Sequence, residues 1–105
     1  MRVIAVQTLK QFWSHHPKAE QPIKAWVDEV RFASWQSPSE LKLQFESASI
    51  LKNSRVVFNL GGNKYRLVTE VLYQTQTVLI KFIGTHQEYD QIDALTVNVR
   101  GEISK

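Results

Sequence analysis

The chain contains no cysteine. That absence excludes a thiol nucleophile, disulfide staples and thiolate zinc sites, and it fits a reducing cytoplasm. Nor is there an apolar run of the roughly 18–20 residues that a membrane span needs. The opening stretch MRVIAVQTLK holds no apolar segment of signal-peptide length, so neither export nor a membrane partner is expected. Phosphate-binding P-loop, paired-cysteine and Ser–His–Asp signatures are missing, as are internal repeats, low-complexity segments and linkers. Glycine and proline are sparse, at four and three residues, so each one punctuates the chain.

What remains is a chain of 105 residues, 43% of them hydrophobic, with a formal charge of +3. That length and composition predict one domain over 1–105 with a core of its own. The modest basic excess leans toward an anionic partner without naming one. RVIAV (2–6) reads as a strand. Thr8 can cap a first helix whose face is Leu9, Phe12, Trp13 and His16. Pro17 ends it, because the residue before a proline is pushed out of the helical region. A second helix begins near Ala19 with Pro22 in its first turn, the Glu20–Lys24 pair, and a buried stripe of Ile23, Trp26, Val27 and Val30. Ser37, Pro38 and Glu40 mark a capping box and a short helical turn through Leu43. Residues 44–54 read as a loop pinned by Phe45, Ile50 and Leu51. The three tryptophans read as core by spacing, with exposure of Trp35 beside Ser34 and Gln36 as the alternative.

The second half changes period. RVVFNL, KYRLVTEVLY and TVLIKFIG are three strands of an antiparallel meander. Gly61–Gly62, or Gly62–Asn63 in a shifted register, suits a two-residue type I′ turn. The apolar last strand is expected to be central and covered on both faces. The order β-α-α-β-β-β predicts an α+β fold, with the helices on one face of a twisted, mostly antiparallel sheet.

Two cations break this apolar pattern, and a polar cluster follows it. Arg66 is either a solvated strand residue paired with Glu70 or a planar fork for phosphate. Lys81 shares its face if residue 72 pairs with 79, and takes the opposite face if 73 pairs with 77. His86, at the end of the third strand, is the residue best suited to proton transfer near neutrality. Tyr89 lies three residues on, within reach if HQEYD makes a helical turn, and Asp90 either orients His86 or caps the next turn. His15 and His16 are explained by the helix dipole at the end of the first helix.

The combination FN-x-GGN-x-x-R-x-V followed by THxEYD resembles the HigB family of toxins, bacterial mRNA interferases of the RelE/ParE superfamily. LKxFW, HP and the spaced tryptophan extend the resemblance over nearly the whole chain. It implies a microbial-ribonuclease-like fold and toxicity by mRNA cleavage, often on translating ribosomes. It also implies neutralisation by a HigA-like helix-turn-helix antitoxin, through which alone DNA would be contacted. Carried over by position, Arg66, His86 and Tyr89 are the catalytic candidates. Lys52, Asn59, Asn63, Lys64 and Lys81 are the candidate RNA contacts. RNA supplies its own 2′-hydroxyl nucleophile, so neither metal nor cofactor is implied. The chain departs from the RelE branch in lacking its lysine cluster before the second strand, where only Lys52 and Arg55 stand. Two other readings are a ParE-like toxin that binds a topoisomerase, favoured by the acidic cluster Glu88–Asp90–Asp93, and a plain RNA-binding module. Loss of periodicity after Leu95 predicts a flexible tail over about the last eight residues.

Overall fold

Residues 1–98 are described by the computed structural model. In chain order they form β1 (Arg2–Ile4), α1 (Val6–His15), a 3₁₀ turn (Pro17–Ala19), α2 (Glu20–Arg31), α3 (Pro38–Gln44), β2 (Ser49–Ile50), β3 (Arg55–Leu60), β4 (Tyr65–Leu72), β5 (Thr77–Thr85) and α4 (His86–Tyr89). The strands make a five-stranded sheet of order β1-β5-β4-β3-β2, with only β1 and β5 parallel. This is the expected α+β arrangement, enlarged by β2, which falls inside the segment read as a loop, and by α4. The tail expectation falls on residues 99–105, outside the described residues.

The N-terminal helices form where periodicity put them, but α1 starts earlier than Thr8. Ala5 is its N-cap, in an extended conformation and without a side-chain cap, and its carbonyl accepts from the Thr8 N–H at 3.2 Å. Strand and helix abut, so β1 is shorter than the 2–6 expected and Thr8 lies inside the first turn. At the other end, the Met1 amino nitrogen donates to the carbonyls of Val30, Arg31 and Ala33 at 2.8–3.1 Å. They lie at the end of α2, where carbonyls run out of helical donors, and the Val30 carbonyl also accepts from Ala33 N–H at 3.0 Å. In α3, the Ser37 hydroxyl accepts from Glu40 N–H as expected, while the Glu40 carboxylate reaches one residue further back, to Gln36 N–H at 2.9 Å.

The main core lies between helices and sheet. Leu9, Ile23, Trp26 and Val30 meet Val56, Phe58, Leu67, Val71, Val78 and Ile80, which alternate along β3, β4 and β5. Fully burying each such side chain is worth about 1.5–3 kcal/mol. Phe58 anchors the aromatic contacts, edge-on to Trp26 at 5.2 Å and to Phe45 at 5.1 Å. Trp35 is buried, and its indole N–H donates to Gln44 at 2.9 Å, so exposure is the reading that fails. Of the three residues expected to pin the segment after α3, Phe45 packs on the core, whereas Ile50 is exposed.

Two expectations about the meander change. β5 is internal but not central; β4 holds the middle position. On the face away from the helices, Leu79, Lys81 and Phe82 are only half-buried, so β5 is not covered on both sides. That second face is nonetheless partly closed. Arg55, 7% exposed, donates from Nη1 to the carbonyls of Ala94 at 3.2 Å and Val97 at 2.8 Å. One guanidinium thereby holds the segment after α4 against β3. Replacing it should leave two carbonyls short of a partner. Arg55→Ala is expected to lower stability by about 1–3 kcal/mol in urea unfolding and to speed amide exchange at Thr96 and Val97. Wild-type exchange there would show that Arg55 does not hold the segment.

Candidate active site at one corner of the sheet

The corner is built by the β3–β4 hairpin and the end of β5. Leu60 pairs with Tyr65, which leaves a four-residue loop, 61–64, in place of the two-residue turn expected. Gly61, Gly62 and Asn63 all take positive φ, at 60°, 63° and 75°. Two glycines and an asparagine are the residues that enter this region at least cost. Glycine at 61 also makes room for Tyr65, since a Cβ there would lie 3.0 Å from its ring. Asn63 thus has an architectural role, and its carbonyl accepts from Arg66 Nη1 at 3.0 Å.

Arg66 stands on the face away from the helices, paired across the sheet with Asn59 on one side and Gly84 on the other. The alternative pairing with Glu70 does not form. Glu70 instead meets Lys81, at 3.7 Å. Neither proposed register of the β4–β5 turn occurs. Leu72 pairs with Thr77, and a bulge between Val68 and Thr69 shifts the ladder, leaving Lys81 as the extra residue between Ile80 and Phe82. Gln76 holds this turn, with φ of 55° and a side-chain amide donating to the carbonyls of Trp35 at 2.7 Å and Tyr73 at 2.9 Å. The result places Lys81 on the Arg66 face, its charge shared with Glu70.

The ladder continues one bond past β5, from His86 N–H to the Lys64 carbonyl at 3.1 Å. Residues 64–66 and 84–86 therefore share one corner, with Gly84 opposite Arg66 and His86 two residues beyond it, where the chain leaves the sheet into α4. The chain then turns into α4 through a capping box. The Thr85 hydroxyl accepts from Glu88 N–H at 3.2 Å, and the Glu88 carboxylate accepts from Thr85 N–H at 2.9 Å. Gly84 makes this possible. A Cβ there would lie 2.5 Å from the Phe82 ring and 2.8 Å from Glu88 Oε1. The box was missed in the sequence, although T-x-x-E in THQE is its signal.

His86 is half-exposed, and its Nδ1 lies 3.3 Å from Asp90 Oδ2. The carboxylate thus approaches the ring from its Nδ1 side, and both groups stay open to solvent. Tyr89 is half-buried at the end of α4, one turn from His86. The acidic cluster builds this turn: Glu88 caps α4, Asp90 faces His86, and the Asp93 carboxylate accepts from Leu95 N–H at 2.9 Å.

Of the candidate RNA contacts, Lys64 is exposed in the loop beside the corner. Asn59 is on the Arg66 face, but its amide donates to the Ser47 carbonyl at 3.0 Å. Lys52 precedes Arg55, which pairs with Glu70 at the far end of β4, so the length of β3, about 17 Å, separates it from the corner. His16 stacks on Phe12 at 4.2 Å, and both helix-end histidines approach carbonyls of α1, so they are structural. Burial pushes the Tyr73 hydroxyl above the ordinary tyrosine range, away from this corner at the β4–β5 turn.

Helices on one side of an open, mostly antiparallel five-stranded sheet make a small α+β domain consistent with the RelE-like class. Residues 19–92 match the HigB toxin family, described as the RelE-like toxic component of a toxin–antitoxin system. The chain is 30% identical over 97 residues to the mRNA interferase toxin HigB of Escherichia coli (strain K12), covering 90% of this chain and 93% of that relative. The mRNA interferases HigB of Escherichia coli O157:H7 and of Shigella flexneri match to the same extent. The chain belongs to the HigB family of toxins.

Because the cap sets how α4 leaves the sheet, Thr85→Ala is expected to cost about 0.5–2 kcal/mol. It should also broaden the His86 ring resonances in NMR spectra as α4 frays. Unchanged stability and sharp ring signals would show that the box does not hold the imidazole.

Proposed function

We propose that this toxin is an mRNA interferase that cleaves mRNA by attack of the substrate's own 2′-hydroxyl, at the corner formed by Arg66 and His86. The guanidinium of Arg66 grips the scissile phosphate bidentately and stabilises the charge that develops on it. The 2′-oxygen attacks phosphorus and the bond to the 5′-oxygen breaks. His86 takes the proton from the nucleophile or delivers one to the leaving oxygen. Asp90 positions the ring. Tyr89 and Lys64 hold the strand beside the phosphate, and Lys81 adds a charge that Glu70 partly neutralises. Lys52 lies outside this group. RNA is distinguished from DNA because the nucleophile is the 2′-hydroxyl.

The observation that carries this reading is the continuation of the β4–β5 ladder to His86, which puts a permanent cation and an imidazole on one sheet corner. With few unpaired cations among the described residues at that corner, substrate binding depends on mRNA being presented by the ribosome. The partner that restrains the toxin is a HigA-like antitoxin with a helix-turn-helix domain, and the workplace is the cytoplasm, where mRNA is translated. One observation favours a ParE-like binding toxin instead: the Glu88 carboxylate lies over Gly84, directly across from Arg66. Expression that causes DNA damage with mRNA intact would establish that alternative.

In a translating extract, Arg66→Ala is expected to slow mRNA cleavage by about a hundred- to a thousandfold. His86→Ala should slow it by about a hundred- to ten-thousandfold. Folded variants of both that cut at the wild-type rate would overturn the assignment.

A further inference from the structure

The helical layer carries a second surface that the corner does not use. A groove of about 290 Å³ runs between α1 and α2, lined by Val6, Lys10 and Trp13 from one helix and Lys24, Val27, Asp28 and Arg31 from the other. The spacing is i, i+4, i+7 on α1 and i, i+3, i+4, i+7 on α2, so two helical stripes face each other over about 10 Å. The floor is apolar, from Val6, Trp13 and Val27. The rim carries three cations against one anion. Lys24 is already held, with Nζ 2.6 Å from Glu20 and 5.5 Å over the Trp13 ring. Lys10 and Arg31 are exposed and have no ion-pair partner among the described residues. One turn past Asp28, Phe32 is 92% exposed at the end of α2.

We infer that this groove receives an acidic amphipathic helix of the partner antitoxin, with Phe32 as an anchor at its end. The inference rests on the family assignment, which supplies the existence of an antitoxin, and on the chemistry of the groove, which supplies its character. An apolar floor two turns long accepts the i, i+3, i+7 stripe of a helix. The unpaired cations on the rim select carboxylates flanking that stripe. RNA is the weaker fit: Lys24 covers the Trp13 face that a base would stack on, and the groove lies across the sheet from Arg66. A second copy of this chain would set like charges against each other, because its own groove face is basic.

The test uses the full chain and its cognate antitoxin, with affinity measured by titration calorimetry and mRNA cleavage measured in a translating extract. The Lys10→Glu/Arg31→Glu variant changes only exposed side chains and should keep the wild-type unfolding midpoint. It should bind antitoxin at least about thirtyfold more weakly, the scale of a binding hot spot, and still cut mRNA. Phe32→Ala should lose about tenfold in affinity. Arg66→Ala should bind antitoxin as the wild type does. Wild-type antitoxin affinity in the charge-reversed variant overturns the inference. So does loss of cleavage with antitoxin binding unchanged, which would assign the groove to RNA, or dispersal of a homodimer with antitoxin affinity unchanged. A wild-type chain that fails to cut mRNA but binds antitoxin through these residues defeats the proposed activity and leaves the docking surface standing.

Discussion

Gln76 reaches from the β4–β5 turn to the Trp35 carbonyl at 2.7 Å, and much of the sheet's chemistry follows from that bond. It ties the turn to the loop between α2 and α3 and allows four residues, 73–76, to separate Leu72 from Thr77. One more or one fewer residue in the turn would invert every side chain of β5 relative to β4. With the turn held, the bulge at Lys81 absorbs the single-residue mismatch, and Gly84 arrives opposite Arg66. The last ladder bond then delivers His86 to Lys64. Arginine and imidazole share a corner because a glutamine amide and a bulge together set the register.

The two faces of the sheet do different work. One is filled by the helices and the segment after α3, whose Trp26 and Phe45 rings meet Phe58 edge-on. The other is part closed and part open. Arg55 ties down the segment after α4 at one end, while the corner at the other end stays accessible around His86. The helical layer in turn has an outer surface, where Lys10, Arg31 and Phe32 project from helices whose inner sides are already buried. A chain of this size thus separates a surface for chemistry from a surface for a partner, because a sheet with helices on one side has two faces outward.

Much of the fold was legible in local pattern. The stripe Ile23–Trp26–Val27–Val30 identified α2, and the β-branched and aromatic runs on either side of Gly61–Gly62 identified two strands, because such side chains suit a pleated, packed surface. Less was legible where competing local signals met. Thr8 looked like a cap, yet the extended backbone at Ala5 already closes the helix. Gly61–Gly62 looked like a minimal turn, yet Leu60 pairs with Tyr65 and three successive positive-φ residues carry a four-residue loop. Trp35 had polar neighbours, yet Gln44 satisfies its indole and buries it. At the candidate site, the sequence showed which residues were chemically suited, whereas the acids Glu88, Asp90 and Asp93 read as a possible binding surface and turn out to build the turn around His86.

By itself, then, the sequence determined the fold class, the helical and strand segments and the family, since these depend on periodicity and on motifs read along the chain. Only the tertiary structure decided that Lys81 pairs with Glu70, that Lys52 stands a strand's length from the corner, and that Lys10 and Arg31 face one groove. Each of those is a relation between residues on different elements, set by register and packing, which a linear pattern does not encode.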